Sequence, residues 1–195
     1  MGNSFGKLVK KKVSLVIGSI YEDLSDLTIL LNNLSSNLDY IDQIICVISG
    51  VDTNEKNIKL SNLQELVKTK IEIISFEKIL MPGEARNIGI LKSKFDYISF
   101  LDSHTFPNEN WLSNSIKILD EKNLRGILGR TKYIALNPFE KCFISATYGF
   151  KPLFSIPGTL IHKKLLTEVG LFIPKNRSGE DVEWMNRSTL FNQNL

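Results

Sequence analysis

The order of apolar and polar positions divides most of the chain into alternating strands and helices. Val13 to Ile17 is a short β-branched and aliphatic run that stops at Gly18-Ser19, which predicts a buried strand. Leu24, Leu27, Leu31, Leu34 and Leu38 then recur at helical spacing among Asp and Asn, the pattern of a helix with one core face. Ile44 to Ile48 predicts a second strand closed by Ser49-Gly50, and Leu60, Leu63, Leu66 and Val67 mark a second helix. Ile71 to Phe76 predicts a third strand. Met81-Pro82-Gly83 breaks the chain, and Ala85 to Leu91 follows as a helix with Gly83-Glu84 at its start. Tyr97 to Leu101 reads as a fourth strand ending on Asp102, and Trp111 to Leu119 as a further helix.

Beyond Leu119 the pattern is weaker. Arg125 to Tyr133 and Phe143 to Tyr148 are predicted as strands, as is Gly158 to His162. Lys163 to Val169 reads as a short helix, and Glu180 opens the last one. The alternation implies an α/β domain with a mainly parallel sheet flanked by helices, in which ligands bind beyond the carboxyl ends of the strands. Gly18-Ser19, Ser49-Gly50-Val51-Asp52 and Asp102-Ser103-His104 all fall at such ends, so three strand exits are expected to face one crevice.

Composition changes this picture little. The 195 residues suffice for one domain with a core, and 43% apolar and 23% charged residues are ordinary for a globular protein. A net charge of +3 gives no argument for nucleic acid. The two cysteines, Cys46 and Cys142, form no disulfide scaffold or zinc spacing, and a reducing, cytoplasmic compartment fits them. No apolar run approaches the ~20 residues needed to span a bilayer. Met1 to Lys12 is a polar segment ending in Lys10-Lys11-Lys12. It reads as a solvated lead-in or as a peripheral contact with an anionic membrane.

Three clusters carry candidate chemistry. Asp102 and His104, at i and i+2 on a strand tip, suit Mn²⁺ or a similar divalent ion such as Mg²⁺, which would clamp a diphosphate; the bland alternative is a turn cap beside an exposed histidine. Gly83 to Gly89 opens a helix whose free N–H groups, with Arg86, suit phosphate; close helix packing at Gly89 explains the same residues. Glu180-Asp181-Val182-Glu183 opens the last helix, either as dipole-favoured acids or as the source of a general base. His162 and Trp184 admit structural roles.

In this order, these motifs resemble the GT-A-fold glycosyltransferases, family 2 in particular, from Val13 to about Arg187. The resemblance implies a Rossmann-like sheet, with 13–120 as a nucleotide-binding half and 121–195 as an acceptor-side half that stops where family members usually continue. It implies sugar transfer from a nucleoside-diphosphate sugar, a UDP-sugar being the expected donor, to a glycan, lipid-linked or small-molecule hydroxyl. Gly18, Ser19, Asp52, Gly83, Arg86, Asn87, Asp102 and Ser103 would then cradle the nucleotide, with Gly158 and Thr159 near the donor sugar. Asp181 matches the base of inverting members, and Glu180 would orient the acceptor. Gly18-Ser19 replaces the family's usual Pro-Thr. Asp102-Ser103-His104 replaces Asp-x-Asp and looks instead like the polypeptide N-acetylgalactosaminyltransferases, which are retaining, so the tip and the acidic motif point to different stereochemistries. Two other readings stand: a nucleotide-sugar-binding or degenerate domain of a larger assembly, and a nucleotidyltransferase. The lack of a basic residue from Gly18 to Asp23 argues against the nucleotidyltransferase.

Overall fold

A computed structural model describes residues 11–51, 56–67 and 71–191. Its elements are β1 (Val13–Ile20), α1 (Leu24–Asn33), β2 (Gln43–Ser49), α2 (Lys56–Glu65), β3 (Ile71–Phe76), α3 (Pro82–Lys92) and β4 (Tyr97–Asp102). They continue as α4 (Trp111–Lys122), β5 (Gly126–Thr131), α5 (Pro138–Thr147), β6 (Leu153–His162), α6 (Lys163–Val169) and α7 (Glu180–Phe191). One six-stranded sheet runs in the order β3-β2-β1-β4-β6-β5. β1 to β4 are parallel, and β6 runs antiparallel to both β4 and β5.

Strand alternation assigns the two cores. Val13, Leu15 and Ile17 join Ile44, Cys46 and Ile48 under Leu27, Leu30, Leu31 and Leu34 of α1 and Leu112 and Leu119 of α4. Val16, Ile45, Val47, Ile98 and Phe100 face the other way, against Ala85 and Ile90 of α3, Leu165 and Leu166 of α6, and Trp184 of α7. A strand buried on both faces has no polar alternation, which is why β1 and β2 read as continuous apolar runs. Gly89 lets α3 lie close on β1: a Cβ there would collide with the Val16 side chain. The Trp184 indole also belongs to this core, and its N–H donates to the Gly170 carbonyl at 2.8 Å.

β1 extends to Ile20, so Gly18 and Ser19 are strand residues instead of a turn. The first helix ends at Asn33 and continues as a 3-10 segment, Ser35–Tyr40. There the buried Asn37 amide accepts from the Leu112 N–H at 3.2 Å, which serves the start of α4. The strand expected at Phe143 to Tyr148 is a correction: the segment is helix α5. Asn137 caps it by accepting from the Glu140 N–H at 2.9 Å, and Pro138 takes the first helical position. The Glu140 carboxylate in turn accepts from the Leu136 N–H at 2.7 Å.

Strand order reverses between β1 and β4, because β2 and β3 lie on one side and β6 and β5 on the other. Such a switch point opens a crevice at the carboxyl ends. The antiparallel β6 brings its amino end, and β5 its carboxyl end, to the same edge.

Candidate active site

A cleft of about 600 Å³ lies at that switch point. Gly18, Ser19, Ser49, Asp102 and Ser103 line it from the strand tips, and Pro82, Ala85 and Arg86 from α3. The opposite wall is Thr131, Tyr133, Tyr148, Phe154 and Ser155, and Gly179 to Val182 closes one end. The expected convergence of strand exits is therefore present for the first, second and fourth strands; Asp52 lies outside the described residues.

Arg86 organises the site. Its guanidinium donates from Nη1 to Glu180 Oε1 at 2.6 Å and from Nη2 to Asp102 Oδ2 at 3.2 Å. Arg86 is 5% and Glu180 4% exposed, so this pair works in a low-dielectric setting. Burial lowers the Arg86 pKa, but Asp102 and then Glu180 more than offset it, and the net shift is upward. The guanidinium stays charged and bridges the two acidic side chains. Among the described residues its Nε finds no hydrogen-bond partner.

The body of α7 and the loop before it are held from behind. Arg187 donates to the Val169 carbonyl and, at 2.8 Å, to that of Leu171. The Asn87 amide brackets Phe172, donating to its carbonyl at 2.8 Å and accepting from its N–H at 3.0 Å. Asn87 thus tethers the loop before α7 and does not line the cleft. Gly83 does not line it either: it is buried, and a Cβ there would strike the Ile173 carbonyl. The α3 amino end is capped internally, with the Met81 N–H donating to Glu84 at 2.9 Å.

Asp181 follows Glu180 directly and forms part of the cleft wall, half-buried, its Oδ1 accepting from the Val182 N–H at 2.8 Å. Tyr133 registers its charge from across the cleft. The phenol pKa is raised, first by burial and then by Tyr148, Asp181 and Asp102.

The strand tip splits its two candidate ligands. Asp102 turns to Arg86, while His104 sits between two acids of the first helical turns. Its Nε2 is 3.0 Å from Asp23 Oδ2, and its Nδ1 3.3 Å from Asp26 Oδ2. One ligand atom from each of Asp23, Asp26 and His104 falls within 4.8 Å of the others. Two carboxylates and an imidazole are a donor set that fits Mn²⁺ better than the harder Mg²⁺. No spacing in sequence ties Asp23, at the start of α1, or Asp26, in its first turn, to His104.

Gly158 and Thr159 lie away from the cleft. Thr159 is fully buried, accepting from the Gly129 N–H at 2.9 Å and donating to the Ser155 carbonyl at 2.9 Å. The Gly158 carbonyl accepts from the Trp111 indole at 2.8 Å. Both serve the irregular register of β5 with β6, and Leu153 to Ser155 reach the cleft in their place. His162 is structural: its Nδ1 accepts from the Lys164 N–H at 3.2 Å, and its ring meets Tyr97 edge-on at 5.1 Å.

The sequence profile described as Glycosyl transferase family 2 matches residues 14–178. The chain belongs to glycosyl transferase family 2. An uncharacterized glycosyltransferase of Rickettsia bellii is 28% identical over 197 residues, covering 93% of this chain and 27% of that protein. S. aureus TarS 1–349, solved with UDP-GlcNAc, superposes with a TM-score of 0.68 at 18% identity, over 92% of this chain and 53% of that one. The mannosyltransferase PcManGT from Pyrobaculum calidifontis, solved with GDP-Man and Mn²⁺, gives 0.67 at 13% identity, over 94% and 53%. This family 2 chain therefore has the GT-A fold and spans about half the length of those structures. Among its described residues no helix is long and apolar enough to cross a membrane.

Proposed function

We propose that this family 2 chain transfers a sugar from a nucleoside-diphosphate sugar, a UDP-sugar first among candidates, to a hydroxyl acceptor with inversion. The observation that carries the reading is the Arg86 bridge, which joins the β4 tip to the amino end of α7 across one cleft. Relatives solved with UDP-GlcNAc and with GDP-Man and Mn²⁺ support the donor class.

In this reading Gly18, Ser19, Ser49 and Ser103 flank the nucleotide. His104, with Asp23 and Asp26, would hold a divalent cation, while Asp102 stays with Arg86. When bound, the cation neutralises the departing diphosphate. Asp181 accepts the proton of the acceptor hydroxyl as that oxygen attacks the anomeric carbon. Glu180, engaged by Arg86, holds the helix start that presents Asp181. Tyr133, Tyr148 and Phe154 offer flat apolar faces to the acceptor.

A second reading is a donor-binding domain without turnover, favoured by the engagement of both Asp102 oxygens with Arg86. Titration with nucleoside diphosphates, with and without Mn²⁺, tests both. A bound nucleotide at about a hundredfold excess over Kd stabilises by roughly 2.7 kcal/mol, a clear rise in Tm that here should require metal. No stabilisation by any nucleotide sinks both readings; donor binding without transfer to any hydroxyl leaves the second.

A further inference from the structure

The segment from β5 to β6 exposes its apolar side chains, in contrast to the covered strands beside it. Phe139 and Phe143, one turn apart on α5, are 80% and 53% exposed, and Leu136, just before the helix, is 87%. Ile134, Phe150 and Phe154 add exposed apolar area on either side of the helix. Ile144, by contrast, is buried. An amphipathic helix usually turns its apolar stripe inward, whereas this one leaves Phe139 and Phe143 in water. Contiguous bare patches of this kind mark interaction surfaces.

The charge around the patch identifies the occupant. Between residues 130 and 154 the basic side chains are Arg130, Lys132, Lys141 and Lys151, and the acidic one is Glu140. The Glu140 carboxylate is committed to the helix cap, accepting from Leu136 and Asn137. Bare aromatics interspersed along the chain with lysine and arginine are the chemistry of an anionic bilayer surface: rings enter the headgroup boundary while ammonium groups meet lipid phosphates. We propose that α5 and its flanks dock this protein on an anionic phospholipid surface. Tyr133, Tyr148 and Phe154 belong both to this region and to the cleft wall, so docking turns the cleft mouth toward the bilayer. On the transferase reading, the acceptor hydroxyl is then lipid-linked.

Flotation with vesicles tests the docking without any sugar donor, so its failure is separable from failure of the transferase reading. The probes are phosphatidylcholine vesicles with and without phosphatidylglycerol. The intact chain should float with the anionic vesicles, and Phe139→Ser/Phe143→Ser should lower partitioning about tenfold while leaving the melting curve unchanged. Lys132→Glu/Lys141→Glu/Lys151→Glu should remove the preference for phosphatidylglycerol. No flotation of the intact chain overturns the proposal, as does equal flotation of the phenylalanine variant. A concentration-dependent dimer that the phenylalanine variant abolishes, with no vesicle binding, assigns the patch to a second copy instead.

Discussion

The sheet from β1 to β4 and the segment from β5 to β6 use the same residue types to opposite ends. Leu15, Ile17 and Ile45 are fully covered, whereas Leu136 and Phe139 are 87% and 80% exposed. The first group lies between two layers of helices, so every apolar atom has a protein partner. The second lies on α5 and just before it, with water over its apolar side chains. Apolar content therefore predicts burial only where the fold supplies a covering layer on each face. The cleft lies on the seam between these regions, and beside it Arg86 ties the β4 tip to the amino end of α7.

The seam can be attacked from each side. Asp181→Asn should leave donor binding intact and reduce transfer on the order of a thousandfold, the range for loss of a general base. Transfer at the wild-type rate would remove Asp181 from the chemistry. The two carboxylates on Arg86 should differ in weight. Glu180 is 4% exposed, so Glu180→Gln removes the buried charge opposite the guanidinium, leaves it only Asp102, and should cost about 3 kcal/mol in urea unfolding. The Asp102 side chain is 39% exposed, and Asp102→Asn should cost about 1 kcal/mol or less. Equal costs would mean that the bridge is not anchored on the buried side.

The two cysteines report the same contrast directly. Cys46 lies in the covered sheet, and burial pushes its thiol up to about 12; Cys142 is exposed on α5. At pH 8 a disulfide reagent should modify one thiol per native chain, and the second only after unfolding. Fast reaction at Cys46 would show that the sheet opens. The smallest effect concerns His162. Burial first, aided by Lys164 and Arg125 and opposed by Asp96 and Glu168, lowers its pKa below the usual 6.5. The neutral ring is favoured in the native state, so the unfolded chain binds the proton more readily. Stability present above pH 6.5 should fall as pH drops through the lowered value, on the order of one degree in Tm. His162→Asn should flatten that slope.

Most of the parallel sheet was legible because each strand carries its own burial signal. Ile71–Phe76 and Lys163–Val169 fall where the pattern put them. α5 was misread because four of its apolar residues face water, which breaks the link between apolar runs and strands; its Asn137-Pro138 start and the Glu140 that follows were the overlooked signal. In the cleft, Gly18, Ser19, Arg86, Asp102, Ser103, Glu180 and Asp181 were all legible from strand exits and helix starts. Gly158 and Thr159 were misplaced, because an irregular sheet register leaves no trace in local composition.

Sequence by itself determined that an apolar strand runs out on Asp102, ahead of Ser103 and His104, and that an acidic cluster opens the last helix. Those are local properties, set by short-range periodicity and capping. Only the tertiary structure decided how the charges pair. Arg86 joins Asp102 to Glu180, and His104 turns to Asp23 and Asp26. Partner choice depends on distances of a few ångströms between segments far apart in the chain, and packing alone sets those distances.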